Sequence, residues 1–212
     1  MNIDRFKELP LMGIVRGLDI DDTEPLVEEI IASGLETIEI TMNTSAAAGI
    51  ISKAVAVSNG RIAVGAGTVL SGADLERAVD AGASFIVSPA CVEEVIRPCR
   101  EKAIPVFPGA LTPQEVLEAW KKGATMVKVF PAGIFGPKYI KELKGPFNDI
   151  KLMAVGGVRL ENIAEYFSAG ADAVAFGASV FKKEWLEKKD FTSIGKLVGE
   201  YVQAAREAKS GK

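Results

Sequence analysis

Lys128 stands in the middle of an apolar, strand-like run, Met126-Val127-Lys128-Val129-Phe130. Glu39 interrupts a similar one, Thr37-Ile38-Glu39-Ile40-Thr41. A buried ammonium or carboxylate is costly unless paired, and the usual relief is a change of protonation. Desolvation lowers a lysine's pKa and raises a carboxylate's, which brings both toward neutrality. A neutral amine attacks a ketone, and the resulting iminium is an electron sink for carbon–carbon cleavage. The same two residues would also serve as a structural ion pair, and spacing alone does not choose between these readings.

Other chemistries are narrowed by composition. The 212 residues include no histidine, so a Ser-His triad, a histidine base and a histidine-ligated zinc site are excluded. Acid–base work then falls to carboxylate, lysine, tyrosine, water or a substrate group. Cys91 and Cys99 flank "VEEVIRP" at a spacing that matches no metal motif, and they read as small half-buried residues. No metal site is expected.

The elements that must position Lys128 and Glu39 repeat along the chain. Short β-branched runs alternate with amphipathic segments: "MGIVRG" (12–17), "TIEITM" (37–42), "IAVGAGTV" (62–69), "FIVSPA" (85–90), "IPVFPGAL" (104–111), "TMVKVFPAG" (125–133), "IKLMAVGG" (150–157) and "DAVAFGASV" (172–180) each precede a helix-like stretch. Asp22 or Thr23 is placed to cap the first of these helices, Ser71 or Asp74 another, and Thr112 with Pro113 a third. Continuous apolar strands separated by helices imply a parallel sheet covered on both faces. Eight units favour a single α/β domain over 1–212, a closed (β/α)8 TIM barrel after a short N-terminal helix, over a six-unit doubly wound sheet.

With 48% hydrophobic and 25% charged residues, the chain can bury a substantial core. A net charge of −3 and a pI near 5.3 give no general attraction to nucleic acid or anionic lipid. The N-terminal stretch does not read as a signal peptide, no stretch approaches the ~20 apolar residues of a membrane span, and a cytoplasmic protein is expected. An anionic substrate would have to be held by local features.

A barrel carries its active site at the C-terminal ends of its strands, where the polar oddities of this chain fall. Arg16 ends the first strand. Glu39, Thr41 and Asn43 share one side of the second, because side chains alternate with period two. Thr68 ends the third, Ser88 and Pro89 the fourth, and Pro108 and Gly109 the fifth. Gly156 and Gly157 end the seventh, and Gly177 and Ser179 follow the eighth. Glycines at those last two ends let backbone N–H groups approach a phosphate; a short helix after the eighth strand would aim its positive end there, and Ser179 would add a hydroxyl donor.

The blocks "IEITMNT", "VGAGTV", "FIVSPA", "VFPGALTP", "VKVFPAG", "KGPF", "VGGV" and "FGAS", in that order from Ile14 to about Phe181, resemble the 2-keto-3-deoxy-6-phosphogluconate aldolase family, which includes the 4-hydroxy-2-oxoglutarate and 2-keto-3-deoxy-6-phosphogalactonate aldolases. The resemblance implies a homotrimeric, metal-independent class I aldolase that needs no cofactor beyond a covalent lysine Schiff base. The resemblance further implies release of pyruvate from a 2-keto-4-hydroxy acid, phosphorylated when glyceraldehyde 3-phosphate is the other product and unphosphorylated when it is glyoxylate. By the resemblance, Lys128 is the Schiff-base lysine and Glu39 the general acid/base. Thr68, Pro89, Gly109 and Phe130 surround the pyruvate moiety, Arg16 lies near the substrate carboxylate, and Gly156, Gly157, Gly177 and Ser179 bind phosphate. Two positions depart from the pattern: Asn43 stands where "EVTLRT" members have arginine, and Val155 where "PTGG" members have threonine. Both bear on which keto acid fits. Two other readings place the same barrel as a phosphosugar isomerase or epimerase without a covalent lysine, or as a non-catalytic scaffold.

Overall fold

The computed structural model describes residues 1–210, so the last two positions of the expected 1–212 domain lie outside the described residues. After helix α1 (Ile3–Glu8), strands and helices alternate as the apolar runs require. The first half contains β1 (Leu11–Val15), α2 (Thr23–Ala32), β2 (Thr37–Thr41), α3 (Ala47–Ser58), β3 (Ala63–Gly67), α4 (Gly72–Asp80), β4 (Ile86–Val87) and α5 (Glu93–Glu101). The second contains β5 (Val106–Phe107), β6 (Gly109–Ala110), α6 (Pro113–Lys121), β7 (Val127–Val129), α7 (Pro137–Lys144), β8 (Leu152–Val155), α8 (Ile163–Ser168), β9 (Ala173–Phe176), α9 (Lys183–Glu187) and α10 (Phe191–Ser210).

Every pairing is parallel, and the order is β5-β4-β3-β2-β1-β9-β8-β7-β6. The expected fifth strand is two pieces, because Pro108 lacks the N–H a continuous ladder needs. One piece pairs with β4 and the other with β7, so the ring of nine segments closes through the chain itself at Pro108. Pro108 still contributes its carbonyl, which accepts from Lys128 N–H at 2.9 Å.

Period-two alternation then sorts the side chains. Leu11, Val15, Ile38, Ile40, Val127 and Val129 face the helices, in the larger apolar cluster. Met12, Phe85, Val87, Phe107, Met126, Met153 and Val155 fill the barrel. Phe6 of α1 plugs the bottom, meeting the Phe107 ring edge-on at 6.0 Å, and Phe85 meets Phe107 at 5.8 Å. Glu39 and Lys128 belong to the inward set, opposite Gly65 and Gly109 respectively in the ladder.

Helix ends follow the expected chemistry in part. Thr112 and Glu115 form a reciprocal capping box with Pro113 in the first turn of α6, and Ser71 Oγ caps α4 by accepting from Asp74 N–H at 3.1 Å. Neither Asp22 nor Thr23 caps α2 by its side chain. Asp22 instead turns its carboxylate to Lys189 Nζ at 2.7 Å, and Thr23 Oγ1 donates to Ile20 carbonyl. Past β9 the chain makes a turn at Gly177, whose carbonyl accepts from Val180 and Phe181, and helix α9 begins only at Lys183. A short helix thus follows the eighth strand as expected, after this intervening turn.

Tyr166 of α8 is fully buried, and its hydroxyl has no hydrogen-bond partner among the described residues. An unsatisfied buried hydroxyl costs about 1–3 kcal/mol. Tyr166→Phe should therefore raise the urea unfolding midpoint, by the equivalent of roughly 1 kcal/mol; a lowered midpoint would contradict this reading.

Candidate active site

Glu39 enters the barrel from the centre of β2, 1% exposed. Space for it comes from β3: a Cβ at Gly67 would lie 2.5 Å from Glu39 Oε1, so no larger residue fits there. Glu39 Oε2 is buried without a hydrogen-bond partner among the described residues. Burial pushes its carboxyl above the usual carboxylate range, against the opposing pull of the Lys128 charge and, more weakly, of Arg16.

Lys128 enters from β7, 6% exposed, with Nζ 5.3 Å from the centre of the Phe130 ring. Among the described residues the lysine and the glutamate make no direct ion pair. They face one cavity of about 980 Å³ at the C-terminal ends of the strands. The pair is thus close enough for its charges to be felt and free to meet a third group between them.

Most of the other candidate residues gather around the same cavity. Arg16, Asn43, Thr68, Pro89, Phe130, Gly156, Gly157, Gly177 and Ser179 all line it. Gly109 does not: it is buried behind the wall, where a Cβ would come 2.1 Å from the Pro89 carbonyl oxygen. Its role in the structure is to let that loop close against β6. Thr68 holds φ at +56°, a left-handed conformation unfavourable for a β-branched residue and worth on the order of 1–3 kcal/mol of strain. Thr41, placed by alternation on the Glu39 side of β2, is buried outside the cavity lining. Its Oγ1 lies 3.0 Å from Thr44 Oγ1, which accepts from Gly17 N–H at 3.1 Å and so ties the loop beyond Arg16 to β2.

At the glycine end, Gly156 and Gly157 take φ of +86° and +78°. A Cβ at Gly157 would fall 2.8 Å from the Gly133 Cα, and Gly133 N–H donates to the Gly156 carbonyl at 2.8 Å. The Ser179 hydroxyl, expected as a free donor, donates to the Val158 carbonyl at 3.2 Å and accepts from Tyr201 at 3.3 Å. Sequence reasoning missed Arg159, Lys183, Asp22 and Glu187, which also line the cavity. They are charged residues in loops and helix turns, where charge is ordinary and carries no signal. Cys99 is fully buried rather than half-buried, with its thiol pushed up to about 11, and Cys91 is half-buried. Among the described residues no group of three or more Cys, Asp or Glu side chains is arranged to hold a metal ion, and no helix is long and apolar enough to cross a membrane.

A parallel barrel holding an amine and a carboxylate in an apolar interior, open at glycine-lined strand ends, has the architecture of a barrel enzyme with its site at the C-terminal face. The chain belongs to the KDPG and KHG aldolase family, whose profile matches residues 3–197. A Rhizobium meliloti protein named as a probable 2-dehydro-3-deoxy-6-phosphogalactonate aldolase is 37% identical over 82% of this chain and 83% of its own. The 2-dehydro-3-deoxy-phosphogluconate aldolase of Pseudomonas aeruginosa is 32% identical over 92% of this chain and 87% of its own. Among solved structures, the Legionella pneumophila KDPG aldolase, with pyruvate captured as a covalent carbinolamine, superposes with a TM-score of 0.85 at 26% identity, covering 92% of this chain and 94% of that one. Membership of that family makes the protein an aldolase, a lyase that breaks a carbon–carbon bond.

Because the folded protein holds the Glu39 proton more tightly than the unfolded chain, this residue disfavours folding increasingly as pH rises from the unfolded carboxylate range through its folded pKa. Glu39→Gln should therefore show a higher Tm than the wild type at pH 8, with the gap closing toward pH 4. Equal Tm values across that range would show that burial does not penalise the carboxylate.

Proposed function

We propose that Lys128 is the nucleophile and Glu39 the proton carrier of the retro-aldol reaction. What supports this is that the two groups face the same cavity from opposite arcs of an apolar barrel without neutralising each other. Lys128 Nζ adds to the C2 ketone. Glu39 in its acid form gives a proton to the carbinolamine oxygen, which leaves as water and yields the iminium. The carboxylate so formed takes the C4 hydroxyl proton; the C3–C4 bond breaks, its electrons pass into the iminium, and an aldehyde departs. Protonation of the enamine at C3 and hydrolysis then release pyruvate and restore the free lysine. A carboxyl held above its ordinary range suits both halves of this exchange.

The substrate we assign is a six-carbon 2-keto-3-deoxy-6-phospho acid, giving glyceraldehyde 3-phosphate, with 4-hydroxy-2-oxoglutarate as a shorter, weaker substrate. The glycine-lined end of the cavity suits a phosphate, whereas Val155 and Asn43 remove a hydroxyl and a cation that other members offer near the substrate. Family resemblance supports a homotrimer, and Ile134 and Phe135, large apolar residues exposed on the loop after β7, suit burial between copies. The resemblance and an anionic sugar-acid substrate support work in the cytoplasm.

Borohydride added with pyruvate should reduce the imine and add mass to a single peptide containing Lys128, and Lys128→Ala should lose on the order of 10³-fold or more in kcat. An adduct on another lysine, or an active Lys128→Ala variant, would refute the assignment. Pyruvate release measured with the phosphogluconate-type, phosphogalactonate-type and hydroxyoxoglutarate-type acids ranks the substrates.

A further inference from the structure

The glycine end of the cavity offers a phosphate neutral backbone dipoles, and the hydroxyl expected to join them is occupied. Ser179 Oγ gives its proton to the Val158 carbonyl at 3.2 Å and receives one from Tyr201 at 3.3 Å. A phosphate monoester carries about −1.5 to −2 charges near neutrality. In a chain of net charge −3, such an anion calls for a local cation.

Four cationic side chains line the cavity: Arg16, Lys128, Arg159 and Lys183. Lys128 is buried inside the barrel, and the charge of Arg16 bears on Glu39. Lys183 is 3.6 Å from Glu187 Oε1 on its own helix, so its charge is shared with a carboxylate that also lines the cavity. Arg159 is exposed, and among the described residues it makes no ion pair.

The loop that carries Arg159 is built rather than loose. Asn162 bridges it, accepting from Arg159 N–H at 2.8 Å through Oδ1 and donating to the Gly157 carbonyl at 3.0 Å through Nδ2. Gly157 packs against Gly133, and Val158 is tied to Ser179, so the backbone at Arg159 is fixed relative to both glycine ends.

We propose that Arg159 is a specificity-determining residue of this site: its guanidinium binds the terminal phosphate of the keto acid, and Asn162 is the positioning residue that holds its loop. The inference rests on the aldolase reading above and adds to it the source of selectivity for phosphorylated over unphosphorylated acids. A planar guanidinium matches phosphate oxygens in a two-pronged geometry that an ammonium does not reproduce.

The test measures pyruvate release from 2-keto-3-deoxy-6-phosphogluconate and from 2-keto-3-deoxygluconate by the wild type, Arg159→Ala and Arg159→Lys. For Arg159→Ala, KM for the phosphorylated acid should rise about tenfold with kcat changed less than about twofold, as expected for a charged hydrogen bond made throughout the reaction. Its kcat/KM for the unphosphorylated acid should stay within about twofold of wild type, and the Ki of inorganic phosphate as a competitor should rise by a factor similar to that of KM. Arg159→Lys should recover part of the loss. A matched urea midpoint confirms that the variant folds. Equal losses on both acids, or no loss on either, overturn the proposal. A wild type that prefers the unphosphorylated acid overturns it while leaving the aldolase reading intact. A wild type that releases pyruvate from neither acid overturns both.

Discussion

Inside the barrel, one oxygen of Glu39 is held without a hydrogen-bond partner among the described residues, in surroundings that are otherwise Met, Phe, Val and Ala. Such a group is stable in a fold only if something else secures the structure around it. Here the surrounding ladder is continuous on both sides of β2, and Gly67 supplies the missing volume that admits the side chain. Lys128 is secured in the same way, with its backbone N–H bonded across the break at Pro108. The barrel thus presents two ionisable groups to one space without letting them quench one another. For the proposed reaction a contact ion pair would be the worse arrangement, because it would commit both side chains to each other.

The mouth of the cavity is rigid by a different means. Where the interior relies on apolar packing, the loops are joined by short polar links between elements distant in sequence. Thr41, Thr44 and Gly17 connect β2 to β1. Ser179 joins the loops after β8 and β9 to Tyr201 of α10. Asp22 and Lys189 span the β1 and α9 sides, 167 residues apart. These links use the hydroxyls and carboxylates that a reading of the sequence would offer to the substrate. Loop residues that lack such links, Arg159 above all, are the ones left with an uncommitted charge.

That division explains what the sequence disclosed. Period-two alternation inside a repeated strand–helix pattern is a local property, so the barrel, the inward placement of Glu39 and Lys128, and the position of the cavity at the strand ends were all legible. The break in the fifth strand was foreshadowed by Pro108, but its consequence for closure depends on both neighbouring strands. The family resemblance places Gly109 beside the pyruvate moiety; its constraint in the structure, the Pro89 carbonyl, comes from the loop after the neighbouring strand and leaves no trace nearby in sequence. Asp22 has the residue type and position of a helix cap, and only a lysine far along the chain draws its carboxylate away. Side-chain commitments made across long sequence separations are invisible to local reading, and they decided where Asp22 and Ser179 spend their polar groups.

The same reasoning bears on why substrate preference can drift within such a fold while the reaction stays. Glu39 and Lys128 depend on the barrel interior, where a change of volume or polarity is felt by many neighbours. Asn43 and Arg159 stand in loops at the strand ends and are exposed, so substitution there disturbs few contacts, whereas Val155 is packed inside the barrel. Under the proposed assignment, selection on the keto acid can therefore act on exposed rim residues at small expense in stability, whereas selection on the carbon–carbon cleavage is confined to two strands. The left-handed Thr68 marks the boundary between these regimes: a strained residue on the cavity wall, between the packed interior and the exposed rim.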